Sequence, residues 1–327
     1  MVWVQFGVCT LLVILVGSRL SFYGDIIAEK SGLGRVWIGA VLIGAATSLP
    51  ELATGLSAVV LIREPNLAVG GIVGSCLFNL VILALADVVY RRRPLLSMST
   101  KGELLSASLS MIMMGVAAFG LVLSRWMRLP CFGGMQVPSW LILVIYLVGY
   151  RFIMVYEKGE FRSEDNYTRF SASRAYEVFC LLAVCMVALS VWLAYLGEDI
   201  SKITGWSTCF VGALFLAVVT SLPELVVSFS ALRMGAVGLA VGNVFGSNAF
   251  DMAILAFYDL AFVGDFWGSL SLLHVLGLIS AMVITGVTIV AMVYPRKRSV
   301  LGMGWETPFI LAGYVLTAWF LFLLRTK

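Results

Sequence analysis

Apolar residues run through this chain in long blocks separated by short polar clusters. Ten blocks predict helices near or above the ~20 residues needed to cross a bilayer. They lie at about 2–22, 34–61, 67–90, 102–124, 137–156, 175–196, 205–232, 236–258, 268–293 and 307–324. The first has no basic residue ahead of its apolar core and no clear small-residue cleavage site, so it reads as a retained helix, not a secretory signal. The longest polar connection, 157–174, carries both signs of charge with Gly, Ser and Asn and is too short to fold as a domain. It reads as a linker between segments 1–156 and 175–327.

The two segments repeat each other. Thr47-Ser48-Leu49-Pro50-Glu51-Leu52 recurs letter for letter as Thr220-Ser221-Leu222-Pro223-Glu224-Leu225. Trp37 to Ala58 aligns with Phe210 to Ala231 at an offset of 173, and Leu67 to Asn79 with Leu239 to Asp251 at 172. Five predicted spans separate equivalent positions, an odd number, so the copies cross the membrane in opposite directions. This is the signature of an inverted repeat, in which secondary transporters place a shared site near the midplane. The expected fold is an all-α polytopic membrane protein of about ten helices in two inverted five-helix repeats. Channels also use such repeats, so the pattern specifies fold before transport.

Each hexapeptide puts a proline and a carboxylate inside an apolar run. An acid at that depth costs roughly 2.5–3.5 kcal/mol on insertion scales and is by default a functional-site candidate. Proline removes a backbone donor and clashes with the preceding turn, so each helix should break there and free carbonyls for a cation. A second cluster follows in each repeat, Gly70-Gly71-Ile72-Val73-Gly74-Ser75-Cys76-Leu77-Phe78-Asn79 and Gly242-Asn243-Val244-Phe245-Gly246-Ser247-Asn248-Ala249-Phe250-Asp251. Ser75 shares a helix face with Asn79, and Ser247 with Asp251, while the glycines let another backbone approach.

By span position Glu51, Asn79, Glu224 and Asp251 fall near the bilayer centre. With hydroxyls at Thr47, Ser48, Ser75, Thr220, Ser221 and Ser247, they form an oxygen-rich set suited to a hard cation such as Ca2+, where a transition metal would favour His or Cys. For any single hydroxyl, bonding between helices is an equally good account. For Glu51, Glu224 and Asp251 together it fails, because nothing basic in the neighbouring core sequence pairs with them.

Composition agrees. At 61% hydrophobic and 12% charged residues, with a mean hydropathy of +1.01, the chain is too apolar for a soluble domain of its length. The net charge of +4 says nothing about nucleic acid, since the basic residues sit in short loops and set topology. Sixteen fall on one side of the predicted membrane and six on the other. The richer side, which includes Arg91–Arg93, Arg296–Arg298 and the 157–174 linker, is expected to be cytoplasmic, with both termini outside. The sequon Asn166-Tyr167-Thr168 would then stay unglycosylated. Six cysteines form no CxxC pair and are expected to be buried thiols, and the lone His274 to be a packed residue.

The duplicated TSLPEL boxes followed by GxxGSxxxN and GNxxGSNxxD resemble the two alpha repeats of the calcium/cation antiporter superfamily, most closely its microbial sodium/calcium exchangers. The resemblance implies a core of eight helices around a diamond of four ion sites, with the first and sixth helices sliding across it. It further implies that Glu51 and Glu224 ligate Ca2+ with help from Thr47 and Thr220, and that Asn79 and Asp251 complete the middle site. Ser48, Ser75, Ser221 and Ser247 would line flanking Na+ sites. Ca2+ and Na+ are then cargo, with the lipid bilayer as surroundings, and neither a prosthetic group nor an enzymatic activity is expected. The short loops suit a bacterial inner membrane; oligomeric state is not specified.

Gly71 and Cys76 depart from the asparagines that the family usually carries and that the second repeat has at Asn243 and Asn248. Ala46 and Val219 replace a small glycine before Thr-Ser. These departures leave the central acids intact but open the choice between Na+ and H+, so a Ca2+/H+ exchanger is the main rival and a K+-dependent exchanger a further one.

Three carboxylates would be neutralised by three Na+, or by one Ca2+ with a proton on Asp251, and only a neutral core would pass the hydrophobic barrier. An intramembrane enzyme is disfavoured because no Ser/His/Asp arrangement or GxSxG elbow is present. A passive channel or a regulatory, transport-inactive relative is the remaining alternative.

Overall fold

The computed structural model describes residues 1–30, 47–90, 93–157, 171–233, 235, 237–294 and 303–325. In chain order its helices are α1 (Val2–Lys30), α2 (Leu49–Ser57), α3 (Pro65–Tyr90), α4 (Lys101–Leu123), α5 (Val137–Glu157), α6 (Ala172–Thr204) and α7 (Thr208–Val211). They continue as α8 (Ala217–Thr220), α9 (Leu222–Arg233), α10 (Val237–Ala261), α11 (Phe266–Ser269), α12 (Leu273–Val293) and α13 (Glu306–Leu323). Wider π turns extend α2 over Ala58–Ile62 and join α7 to α8 over Gly212–Leu216. Helices dominate because lipid offers no hydrogen-bond partner, so every backbone group must be satisfied within its own segment.

Among the described residues, seven helices are long and apolar enough to cross a membrane by themselves. The run Thr208–Thr220 followed by Leu222–Arg233, bent by 40°, makes an eighth, and the shorter apolar helices Leu49–Ile62 and Val137–Ile153 fall in the two remaining predicted spans. Residues 34–46 of the second predicted span lie outside the described residues, as do most of the linker, the sequon, Ala46 and many loop cations.

Two differences from expectation have local causes. Helix α6 continues past the predicted end at 196, because Lys202 Nζ meets Glu198 Oε1 at 2.6 Å one turn away and the helix stops only where Gly205 turns left-handed at φ 70°. A two-stranded hairpin, β1 (Cys131–Phe132) paired with β2 (Met135–Gln136), precedes α5, and Gly133 and Gly134 supply its positive φ angles of 56° and 85°.

Helices α3 and α10, which carry the two glycine-serine clusters, form the centre. Their most apolar stretches are 78% and 72% buried, against 24% and 22% for α1 and α6. They pack on each other. At the periphery α1 lies along α6, with α2 against α6 and α9 against α1, so the outer pair rests on the broken helices. A side chain at Gly17 of α1 would strike Pro223.

Two of the three glycines of α3, Gly70 and Gly74, allow the close backbone approach expected of them. A Cβ at Gly74 would fall onto the Ala213 carbonyl, and one at Gly70 onto the Cys209 carbonyl, so α3 touches the α7–α8 segment backbone to backbone.

A pair of aspartates repeats across the fold at the same offset of 172. Asp87, ending α3, accepts from Leu95 N and Gly304 N at 2.7 Å and from Thr307 Oγ1 at 2.5 Å, fixing the start of α13. Asp259, ending α10, accepts from Gln136 N at 2.7 Å and Ser139 Oγ at 2.5 Å, fixing the start of α5.

The cysteine expectation needs correction. Cys9, Cys76 and Cys209 are buried, but Cys180 and Cys185 are exposed on α6 and Cys131 is exposed on the hairpin. An apolar run does not say which of its faces meets lipid. His274 is packed, its ring nitrogens 3.1 Å from Asn66 Oδ1 and 3.4 Å from Cys209 Sγ, with neither Ser48 nor Ser221 among its partners.

Candidate ion site

Both TSLPEL boxes break their helix in the same way. Ser48 has φ −91°, ψ 11° and Ser221 has φ −88°, ψ 6°, the sparsely populated bridge region. Pro50 and Pro223 then sit in the first turn of α2 and α9, where a missing N–H breaks no helical bond. Carbonyls at the second break are not bare, since Ala217 O and Val219 O accept the capping N–H groups. A carbonyl nevertheless keeps a second lone pair for a ligand.

The breaks place each glutamate against the other repeat. Glu51 Oε1 accepts from Ser75 Oγ at 3.4 Å and from Ser221 Oγ at 3.2 Å, with Thr220 alongside and 3.4 Å from Ser75. Glu224 reciprocally lies beside Thr47. Asp251 lies beside Ser48, within electrostatic reach of Glu51 and Glu224. All three carboxylates are buried, and among the described residues none makes an ion pair.

Asn79 is brought in through an amide chain. Its Nδ2 donates to Asn248 Oδ1 at 2.9 Å, and Asn248 Nδ2 donates to Cys76 O at 3.2 Å, tying α3 to α10. Ser247 is buried near the same level of α10, yet its hydroxyl makes no hydrogen bond to the cluster.

What distinguishes the cluster is its surplus of acceptors. Among the described residues, Ser48 Oγ, Glu51 Oε2, Asn79 Oδ1, Glu224 Oε2, Ser247 Oγ and both Asp251 carboxyl oxygens are buried without a hydrogen-bond partner. Buried polar atoms are normally satisfied, so such a concentration of bare oxygens points to a cation as their partner. Among the described residues no three Asp, Glu, His or Cys side chains stand close enough to hold a metal by themselves. The hydroxyls and amides between the acids therefore have to contribute, as they do around hard cations.

Asn248 and Tyr258 were not singled out as site residues from the sequence. Asn248 stands in the quoted second cluster, where its identity was the signal. Tyr258 donates its hydroxyl to the Glu51 carbonyl at 2.7 Å, and nothing marked it, since the repeat has Ala86 at the equivalent position.

Comparison with known proteins agrees with this architecture. YrbG, an inner membrane protein of Escherichia coli, is 26% identical over 258 residues, covering 75% of each chain. The sodium/calcium exchanger MaX1 of Methanosarcina acetivorans is 25% identical over 254 residues, covering 68% of this chain and 72% of that one. The solved structure of the sodium-calcium exchanger NCX_Mj, soaked in Na+ without Ca2+, superposes with a TM-score of 0.61 at 20% identity, covering 97% of this chain and 98% of that one. That likeness shows the fold alone. The profile of the family described as sodium/calcium exchanger protein matches residues 1–156 and 175–326. With both repeats matched, the chain belongs to the sodium/calcium exchanger protein family, an integral-membrane family of ion transporters.

Proposed function

We propose that this chain is a secondary active antiporter that exchanges Ca2+ for Na+ by alternating access at the duplicated site. The observation that carries the reading is the cluster of bare buried oxygens on Glu51, Glu224, Asp251, Asn79, Ser48 and Ser247 where the two breaks meet α3 and α10. In this reading Glu51 and Glu224 ligate Ca2+ with Thr47 and Thr220, Asn79 and Asp251 complete the middle site, and Ser48, Ser75, Ser221 and Ser247 serve flanking Na+ sites. Segments 1–156 and 175–327 act as the two repeats, residues 157–174 as a cytoplasmic linker, and both termini face outward in a bacterial inner membrane.

A specific observation favours a second reading. Gly71 brings no polar group to the cleft beside Glu51, and the Cys76 thiol is engaged with the Asn248 carbonyl at 3.9 Å. A first repeat poorer in amides supports fewer Na+ ligands, which leaves protons on the carboxylates as the counter-ion of a Ca2+/H+ exchanger.

The test is 45Ca2+ uptake into proteoliposomes loaded with Na+, K+ or choline, with an imposed pH gradient as a further condition. Uptake that requires internal Na+ and disappears in Glu51→Gln/Glu224→Gln is the expected result. Uptake driven only by the pH gradient moves the chain to the proton-coupled reading, a requirement for K+ with Na+ makes it K+-dependent, and uptake untouched by the double substitution would refute the site.

A further inference from the structure

The two repeats hold their glutamates by different means. In the second, Asn243 Nδ2 donates to Ser228 Oγ at 3.1 Å and reaches the Glu224 carbonyl at 3.4 Å, which steadies the first turn of α9. The first repeat lacks both partners, since Gly71 stands at the position of Asn243 and Gly55 at that of Ser228. Its carbonyl is not left alone. Tyr258 of α10, whose counterpart in the first repeat is Ala86, donates its hydroxyl to the Glu51 carbonyl at 2.7 Å.

The exchange is also steric. A Cβ at Gly55 would fall on the Tyr258 hydroxyl, so the phenol fits only because no serine stands there. At Gly71, by contrast, a Cβ meets nothing within 4 Å among the described residues. Beside it lies a small cleft bordered by Glu51, Thr54, Gly55, Gly71, Thr220 and Tyr258. The repeats differ at three linked positions, Gly55 against Ser228, Gly71 against Asn243 and Ala86 against Tyr258, and each arrangement keeps a donor on the carbonyl of its glutamate.

We infer that Tyr258 is a positioning residue of the ion site, its hydroxyl reaching across from the second repeat to hold the Glu51 turn in place of the asparagine–serine pair that the first repeat lacks. Tyr258 does not touch the ion. It fixes the backbone that carries Glu51, so the carboxylate stays aimed at Ser75 and Ser221, and its loss loosens Ca2+ binding more than turnover. Because the clamp comes from the opposite repeat, the two halves of the site are inequivalent, and only the Glu51 half depends on contact between α2 and α10.

The inference rests on the exchanger function proposed above, and Ca2+ transport in proteoliposomes tests it through the split between KM and kcat. Tyr258→Phe is expected to raise the KM for Ca2+ roughly three- to tenfold, the effect of one buried hydrogen bond, with kcat and melting temperature near wild type. Adding Gly71→Asn to Tyr258→Phe places an amide where Asn243 stands in the other repeat and should bring KM back to within about twofold of wild type. An unchanged KM in Tyr258→Phe, or a raised KM that Gly71→Asn does not restore, overturns the inference.

A second set covers loss of folding. Gly55→Ser alone displaces the phenol and should impair Ca2+ transport, whereas Gly55→Ser/Gly71→Asn/Tyr258→Ala rebuilds the arrangement of the second repeat and should recover it. A triple variant no better than Gly55→Ser also overturns the inference. Wild-type protein that transports Ca2+ while Tyr258→Phe behaves identically removes only this inference. Wild-type protein that moves no Ca2+ removes the exchanger function and the inference with it.

Discussion

A buried carboxylate answered by long hydroxyl bonds, as Glu51 is by Ser75 at 3.4 Å and Ser221 at 3.2 Å, keeps much of its charge unanswered among the described residues. Isolated charges in low dielectric cost several kcal/mol or more, and no arginine or lysine among the described residues offsets the three found here. In the proposed function, stability given up at the site is exchanged for the capacity to take cations. In the proposed exchange of one Ca2+ for three Na+, Asp251, with both oxygens bare beside Ser48 among the described residues, is the acid assigned to carry a proton. Ca2+ self-exchange by the wild type is expected to slow as pH rises, because loss of that proton leaves the Ca2+-loaded core at −1. The Asp251→Asn variant, neutral at every pH, should show a flat profile for Ca2+ self-exchange measured by isotope flux. A profile that keeps its full slope after the substitution rules out Asp251 as the proton carrier.

Within the elements, the broken helices owe their geometry to partners as much as to proline. Pro50 and Pro223 begin α2 and α9, but the α7–α8 segment before the second break is also held by glycine contacts such as Gly74 on the Ala213 carbonyl. A Cβ there cannot be relieved by rotating a side chain, since the obstacle is backbone. Gly74→Val should destabilise the protein by about 1–3 kcal/mol, the usual range for overpacking, or more. Gly7→Val is its control, because a Cβ at Gly7 meets nothing within 4 Å among the described residues. Thermal melting in detergent is expected to fall markedly for the first and barely for the second. Equal melting of the two would mean that α3 does not rest on the α7–α8 segment.

For the whole molecule, the inverted repeat is visible at three levels: the letters of the TSLPEL boxes, the matching backbone of Ser48 and Ser221, and the anchoring aspartates Asp87 and Asp259. Opposite orientation of the copies puts the hairpin loop before α5 on the outer face in the proposed topology. Cys131 on that loop is exposed and supplies a native probe. A membrane-impermeant maleimide added to intact cells should label the wild type at Cys131, and Cys131→Ser should lose that labelling. Labelling that appears only after the cytoplasmic face is opened would invert the topology.

The sequence alone determined the ten apolar spans, the duplication and the candidate site acids, because lipid demands long uninterrupted helices and because an acid in such a run has few innocent explanations. It also carried the pairing of equivalent positions from which the family follows. Tertiary structure decided which residues face which. Apolar blocks look alike on every side, so the exposure of Cys180 and Cys185 could not be read from α6, and Asp87 and Asp259 look like ordinary acids near span ends until their partners across the fold are seen. Reciprocal placement of Glu51 against Ser221 and of Glu224 against Thr47 required the crossing of two breaks, which no local pattern encodes. Tyr258 is the clearest case: its hydroxyl bonds a carbonyl more than two hundred positions away, in space left by the absent side chain of Gly55, and only packing brings the two together.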